Sequence, residues 1–151
     1  MIRKVSVRAK EARIQPLPMK VVLFVCEGNT ARSQMAEGLF NAAAPPGWSA
    51  RSAGLRPKPQ AHPDPEAILV MKEFRIDISR QSPKAIHEAW DSDVSLVVAL
   101  CSGCPEDPKV ESLSWPLPAP RPGDIGHYKE IRDALLKRIK VFVSQLTADA
   151  G

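Results

Sequence analysis

The chain has 151 residues, 44% of them hydrophobic, which suits one globular domain with its own core and leaves no room for a second. It has no run of eighteen apolar residues and no apolar leader with a small-residue cleavage site, so a soluble cytoplasmic protein with no membrane partner is expected. The net charge of +4 sits wholly in residues 1–18, where Arg3, Lys4, Arg8, Lys10 and Arg13 face only Glu11; the neutral remainder gives no footprint for nucleic acid.

In chain order, residues 1–18 lack strong periodicity and end in "QPLP", reading as a flexible basic extension. The folded unit is expected over 19–151. Residues 20–26 form a continuous apolar run, the mark of a strand buried on both faces of a parallel sheet. A helical pattern over 33–43 follows, then a weaker strand over 48–53. Helices are expected over 64–74 and 82–90, each opening on a capping residue with proline, Asp64 with Pro65 and Ser82 with Pro83. Residues 94–101 repeat the continuous apolar pattern, and 112–117 is a weaker strand. "WPLPAPRPG", residues 115–123, alternates prolines and reads as an extended loop. The last helix is expected over 127–146, where Tyr128, Ile131, Leu135, Ile139, Phe142 and Leu146 build one apolar stripe. Alternating strands and helices imply an α/β fold of three αβα layers, with right-handed crossovers and helices on both faces of a four-stranded parallel sheet.

Ligands of such sheets bind beyond the carboxyl ends of the strands. That rim receives both Cys26 and Cys101. A strand-end cysteine alone reads as a buried core thiol. Here, however, Cys26 is followed by Glu27, Gly28, Asn29, Thr30 and Ala31, and then by Arg32 and Ser33 at a helix start. Successive amides in such a turn, with the helix N-terminus, favour an anion. Gly28 lets the backbone come close, and Arg32 offers a planar fork to a tetrahedral oxyanion. The same field favours the thiolate of Cys26, to which Ser33 donates a hydrogen bond.

The stretch "CEGNTARS" resembles the C-x5-R-S signature of the low-molecular-weight protein tyrosine phosphatase superfamily, and "GNTARSQMAEG" most resembles its thioredoxin-coupled arsenate reductases. The likeness continues through "SAGLRP", "HPDPEAILVMKEFRIDISRQSPK" and "IRDALLKRI", covering the chain from Lys20 onward. It implies the superfamily's flavodoxin-like fold. Ala31 stands where the phosphatases carry a second cysteine, and "SQMAE" replaces their S-P-M-A-E, so both features favour a reductase.

A reductase needs thiols beyond the nucleophile, and "LCSGCP" supplies Cys101 and Cys104. By resemblance, Cys26 attacks arsenate held by the loop and Arg32. Cys101 then attacks Cys26 to release arsenite, and Cys104 resolves that disulfide into one with Cys101 that thioredoxin or another thiol donor reduces. Two departures stand out. The separation of the resolving cysteines is shorter than in these relatives, and "WPLPAP" puts Ala119 where the family has an aspartate as general acid. Asp124 is a replacement from the same loop, or merely the cap of the last helix.

No tightly bound cofactor is expected. The CxxC pair lacks further ligands in zinc spacing, His62, His87 and His127 being badly placed. Some relatives hold a potassium ion, and the matching positions are Asn29, Glu37, Ser52 and Asp77. The resulting expectation is a monomeric arsenate reductase acting on an arsenate or phosphate oxyanion. A phosphatase working through a phosphocysteine and a non-catalytic oxyanion-binding module are the alternatives.

Overall fold

A computed structural model describes residues 19–104 and 109–150; the basic extension assigned to residues 1–18 lies outside the described residues. Four strands, β1 (Lys20–Cys26), β2 (Trp48–Gly54), β3 (Val94–Ala99) and β4 (Glu111–Ser114), and four helices, α1 (Arg32–Ala43), α2 (Pro65–Lys72), α3 (Ile86–Ala89) and α4 (Ile125–Ala150), follow in the order β1-α1-β2-α2-α3-β3-β4-α4. The strands form one sheet in the order β2-β1-β3-β4. Every pairing is parallel, β1 matching β2 from Lys20 opposite Trp48 to Cys26 opposite Gly54.

The unbroken apolar run of β1 follows from its central place. Val22, Phe24 and Cys26 enter one core, and Val21, Leu23 and Val25 enter another on the opposite face. The larger core is closed by Met35, Leu39 and Phe40 of α1, Val70 and Met71 of α2, and the stripe of α4 from Tyr128 to Phe142. Burying each large apolar side chain stabilises the fold by roughly 1.5–3 kcal/mol. Phe24, Phe40, Phe142 and Trp115 form a closed ring of aromatic contacts, with centroids 5.6–6.1 Å apart. Trp115 thereby anchors the proline loop whose far end overhangs the rim.

The second core is thin. Among the described residues, α3, Trp90, Val110 and Cys104 cover it beside Leu55. The helix expected over 82–90 shrinks to the four residues of α3, because the chain before it is drawn out along β2: Gly54 N–H donates to Lys84 O at 2.8 Å and Gly54 bridges to Ala85. Ser82 therefore caps nothing. Asp64 does precede α2, but makes no side-chain cap bond; its carboxylate takes Tyr128 Oη–H at 2.8 Å instead. The last helix runs longer than the expected 127–146 at both ends.

Candidate active site

The turn between β1 and α1 is held from outside. Cys26 O accepts Leu55 N–H, Glu27 O accepts Arg56 N–H, Gly28 O accepts Lys58 N–H, Thr30 O accepts Asp64 N–H and Ala31 O accepts Met35 N–H. The remaining carbonyl, that of Asn29, accepts Gln34 Nε2–H at 2.9 Å. All six carbonyls from Cys26 to Ala31 are thus engaged. The amides of Gly28 to Arg32, all in buried residues, meet no carbonyl or side-chain acceptor among the described residues. Buried amides without partners are rare, and a row of them at an uncapped helix start makes an anion cradle. Asn29 takes φ 55° to turn the chain there.

The glycine that this geometry demands is Gly54, which the sequence did not single out. A Cβ on Gly54 would stand 2.9 Å from Glu27 O and 3.0 Å from Asn29 N, whereas one on Gly28 would meet only the flexible side chain of Lys58.

Under the cradle runs a directed chain of hydrogen bonds. Lys84 N–H donates to Asn29 Oδ1 at 2.9 Å, which fixes the amide so that Nδ2 donates to Ser33 Oγ at 2.6 Å and Ser52 Oγ at 3.0 Å. Ser52 in turn donates to Glu37 Oε1 at 2.6 Å. Ser33, already accepting from Asn29, turns its own hydrogen toward Cys26 Sγ 2.9 Å away. The arrangement suits a sulfur anion.

Cys26 to Arg32 line a cavity of about 260 Å³, completed by Lys58, Asp64, Glu66, Ala119, Pro120, Pro122 and Tyr128. Arg32 reaches across it and donates from Nη1 to Leu117 O at 2.9 Å. Ala119 occupies the wall, as its place in "WPLPAP" suggested. Asp124 is not there: it accepts His127 N–H at 3.0 Å, starting α4, and pairs with Arg121. The amide of His127 and then Arg121 hold its carboxyl below the usual range, which unsuits it as a proton donor. Two carboxylates do face the cavity: Asp64, legible in the sequence only as a helix cap, and Glu66, which the sequence did not single out. Beside them burial, then the bond to Asp64, push the Tyr128 hydroxyl well above its ordinary range, keeping it a donor.

Cys101 and Cys104 stand apart from this cavity and are joined to each other, with a Cα separation of 5.5 Å, inside the span that a disulfide bridges. Gly103 makes the short loop feasible by taking φ 73°. Cys26 is free and buried.

Of the positions matched to a potassium site, Asn29, Ser52 and Glu37 converge, and Asp77 does not. Asp77 accepts Ser79 N–H in an exposed turn, and Lys84 Nζ lies beside Ser52 instead. Among the described residues there is no cluster of histidine, cysteine or acidic side chains that would hold a metal, and no helix long and apolar enough to cross a membrane.

A thiol at the end of a central parallel strand, under a ring of free amides and an arginine, defines a cysteine-centred oxyanion-binding protein of the α/β class. The chain belongs to the low molecular weight phosphotyrosine protein phosphatase family, whose description matches residues 21–150. It is 36% identical over 135 residues to an arsenate reductase of Halalkalibacterium halodurans, covering 82% of this chain and 94% of that one. Among solved structures, it resembles a thioredoxin-dependent arsenate reductase of Corynebacterium glutamicum, with TM-score 0.73 and 26% identity over 92% of this chain and 67% of that one. It also resembles an arginine phosphatase of Geobacillus stearothermophilus, with TM-score 0.75 and 27% identity over 86% and 94%.

Proposed function

We propose that the protein reduces arsenate to arsenite with electrons from thioredoxin. The Cys26 thiolate displaces a hydroxyl from arsenate in the cradle; the sulfur-arsenic bond forms as the arsenic-oxygen bond breaks, and the hydroxyl takes a proton from solvent and leaves as water. Cys101 thiolate then attacks Cys26 Sγ: the sulfur-sulfur bond forms, the sulfur-arsenic bond breaks, and its electron pair leaves on arsenic as arsenite. Cys104 attacks Cys101, freeing Cys26 and leaving the Cys101 to Cys104 disulfide for thioredoxin to reduce.

The observation that carries this reading is the redox pair itself. Cys101 and Cys104 lie within bonding reach of each other, immediately after the strand that pairs with β1 and at the same end as Cys26. A hydrolase has no use for them. Ala119 in the cavity wall also disfavours ester hydrolysis, since a missing general acid lowers rates about 10²- to 10⁴-fold.

The test is arsenate turnover with thioredoxin, thioredoxin reductase and NADPH, beside Cys104→Ser and an aryl phosphate. NADPH consumption matching arsenite, with the variant halting after one turnover, is the expected result. Hydrolysis of the aryl phosphate equally by both proteins, with arsenate untouched, would make the site a phosphatase; silence on both would leave a binding module.

A further inference from the structure

The cavity above Cys26 contains an electrostatic contradiction. Its floor of unpartnered amides, with Arg32 and Lys58 beside it, suits an anion, yet Asp64 and Glu66 line the same space. Like charge set against a ligand opposes its binding.

Both carboxylates are fixed by neutral donors. Asp64 Oδ2 accepts the Tyr128 hydroxyl at 2.8 Å and its Oδ1 accepts Gln60 Nε2–H at 3.0 Å, while Glu66 Oε2 accepts Gly123 N–H at 2.8 Å. Asp64 is also tied to the cradle itself, its own N–H donating to Thr30 O at 2.8 Å. These bonds orient the carboxylates without cancelling their charge. They also leave lone pairs unused, because the two oxygens of a carboxylate offer about four acceptor positions.

The contradiction resolves when the anion brings a hydrogen of its own. Near neutral pH arsenate and phosphate retain a hydroxyl, whereas sulfate, similar in shape and charge, retains none. A hydroxyl turned toward a carboxylate makes a charge-assisted hydrogen bond, and repulsion becomes attraction. A bare oxygen in that place meets the repulsion alone.

We propose that Asp64, with Glu66, determines specificity by accepting the hydroxyl hydrogen of the bound oxyanion, so that the site admits hydroxyl-bearing tetrahedral anions and rejects bare ones. The amides read shape and charge; the carboxylates read the hydrogen. Arsenate and phosphate pass alike, and sulfate and dianionic phosphate esters do not.

This inference deepens the reductase reading by naming the class of anion that the site admits, but its test needs neither arsenate nor electrons, so either can fail alone. The reduced protein is titrated calorimetrically with phosphate and with sulfate at pH 7 and constant ionic strength, alongside Tm. Sites that hydrogen-bond a hydroxyl reject analogues lacking it by up to about 10⁵-fold. Water at the half-buried Asp64 and Glu66 weakens that discrimination, so phosphate should bind the wild-type chain about 10²-fold more tightly than sulfate. In the double variant Asp64→Asn with Glu66→Gln, sulfate should gain affinity and the ratio of the two should fall toward unity. Glu66→Gln alone should lower the ratio partway, and it carries the test if the double variant fails to fold. The ratio is the readout, because carboxylates acting only as charge would, once removed, strengthen both anions alike and leave it unchanged. That outcome would overturn the proposal, as would a wild-type chain that binds phosphate no better than sulfate.

Discussion

Cys26 and Cys104 lie on opposite faces of the same sheet. Cys26 belongs to the core under α1 and α4, while Cys104 packs against the residues of β1 that point the other way. Cys104 Sγ lies 4.0 Å from Val25 O at the end of β1, so direct attack on Cys26 would require it to cross the rim of the sheet. Cys101 follows β3 at that same rim, and the proposed relay passes through it. One equivalent of arsenate given to reduced Cys104→Ser should therefore trap a Cys26 to Cys101 disulfide, whereas Cys101→Ser should form no Cys26 to Cys104 disulfide; peptide mapping without reductant reads both.

Ala119 faces the cavity, so a carboxyl group restored there would meet the leaving group. Ala119→Asp should raise aryl phosphate hydrolysis about 10²-fold, within the usual range of general-acid catalysis. Activated aryl esters, whose leaving groups need no proton, should gain least. A flat response across leaving groups would contradict the assignment.

Ser33 links Asn29 to the thiol, accepting from Asn29 Nδ2 and turning its hydrogen to Cys26. Ser33→Ala should slow alkylation of Cys26 at neutral pH by about tenfold or more, since a hydrogen bond to a charged group contributes about 1.5–3 kcal/mol. Its Tm should change little, because alanine fits the same buried space at the helix start. A large fall in Tm with unchanged alkylation would assign Ser33 to structure alone.

Gly54→Ala should damage the site from behind. The new methyl would press on the backbone of Glu27 and Asn29, and neither can yield without shifting the cradle. Overpacking of this kind costs about 1–3 kcal/mol. Thermal unfolding should register the loss, and affinity for phosphate, read by isothermal titration, should fall with it.

The parts legible in the sequence were those encoded by neighbours along the chain. β1 shows itself because both faces are buried, and the cradle because its residues are contiguous from Cys26 to Ser33. The stripe of α4 obeys simple helical spacing. Residues 82–85 were read as helix because the capping pattern was present, while what decides their path is Gly54, some thirty residues earlier. Asp64 was missed as a cavity residue for the same reason: its sequence context specifies a cap, while Tyr128, brought over by α4, and Gln60 take its carboxylate instead. Lys84 rather than Asp77 lies beside Ser52, a placement that no local pattern announces.

The outward tethering of all six cradle carbonyls has a consequence for selectivity. A receptor already set in shape spends little on ordering when an anion arrives, and it senses only tetrahedral form and negative charge. Phosphate meets both requirements as well as arsenate does. Discrimination is therefore deferred to the chemistry: arsenic accepts the electron pair that the thiol relay delivers, and phosphorus does not. A cell's own phosphate becomes a standing competitor for the site, so the throughput of such a protein follows the ratio of the two anions rather than the amount of arsenate alone.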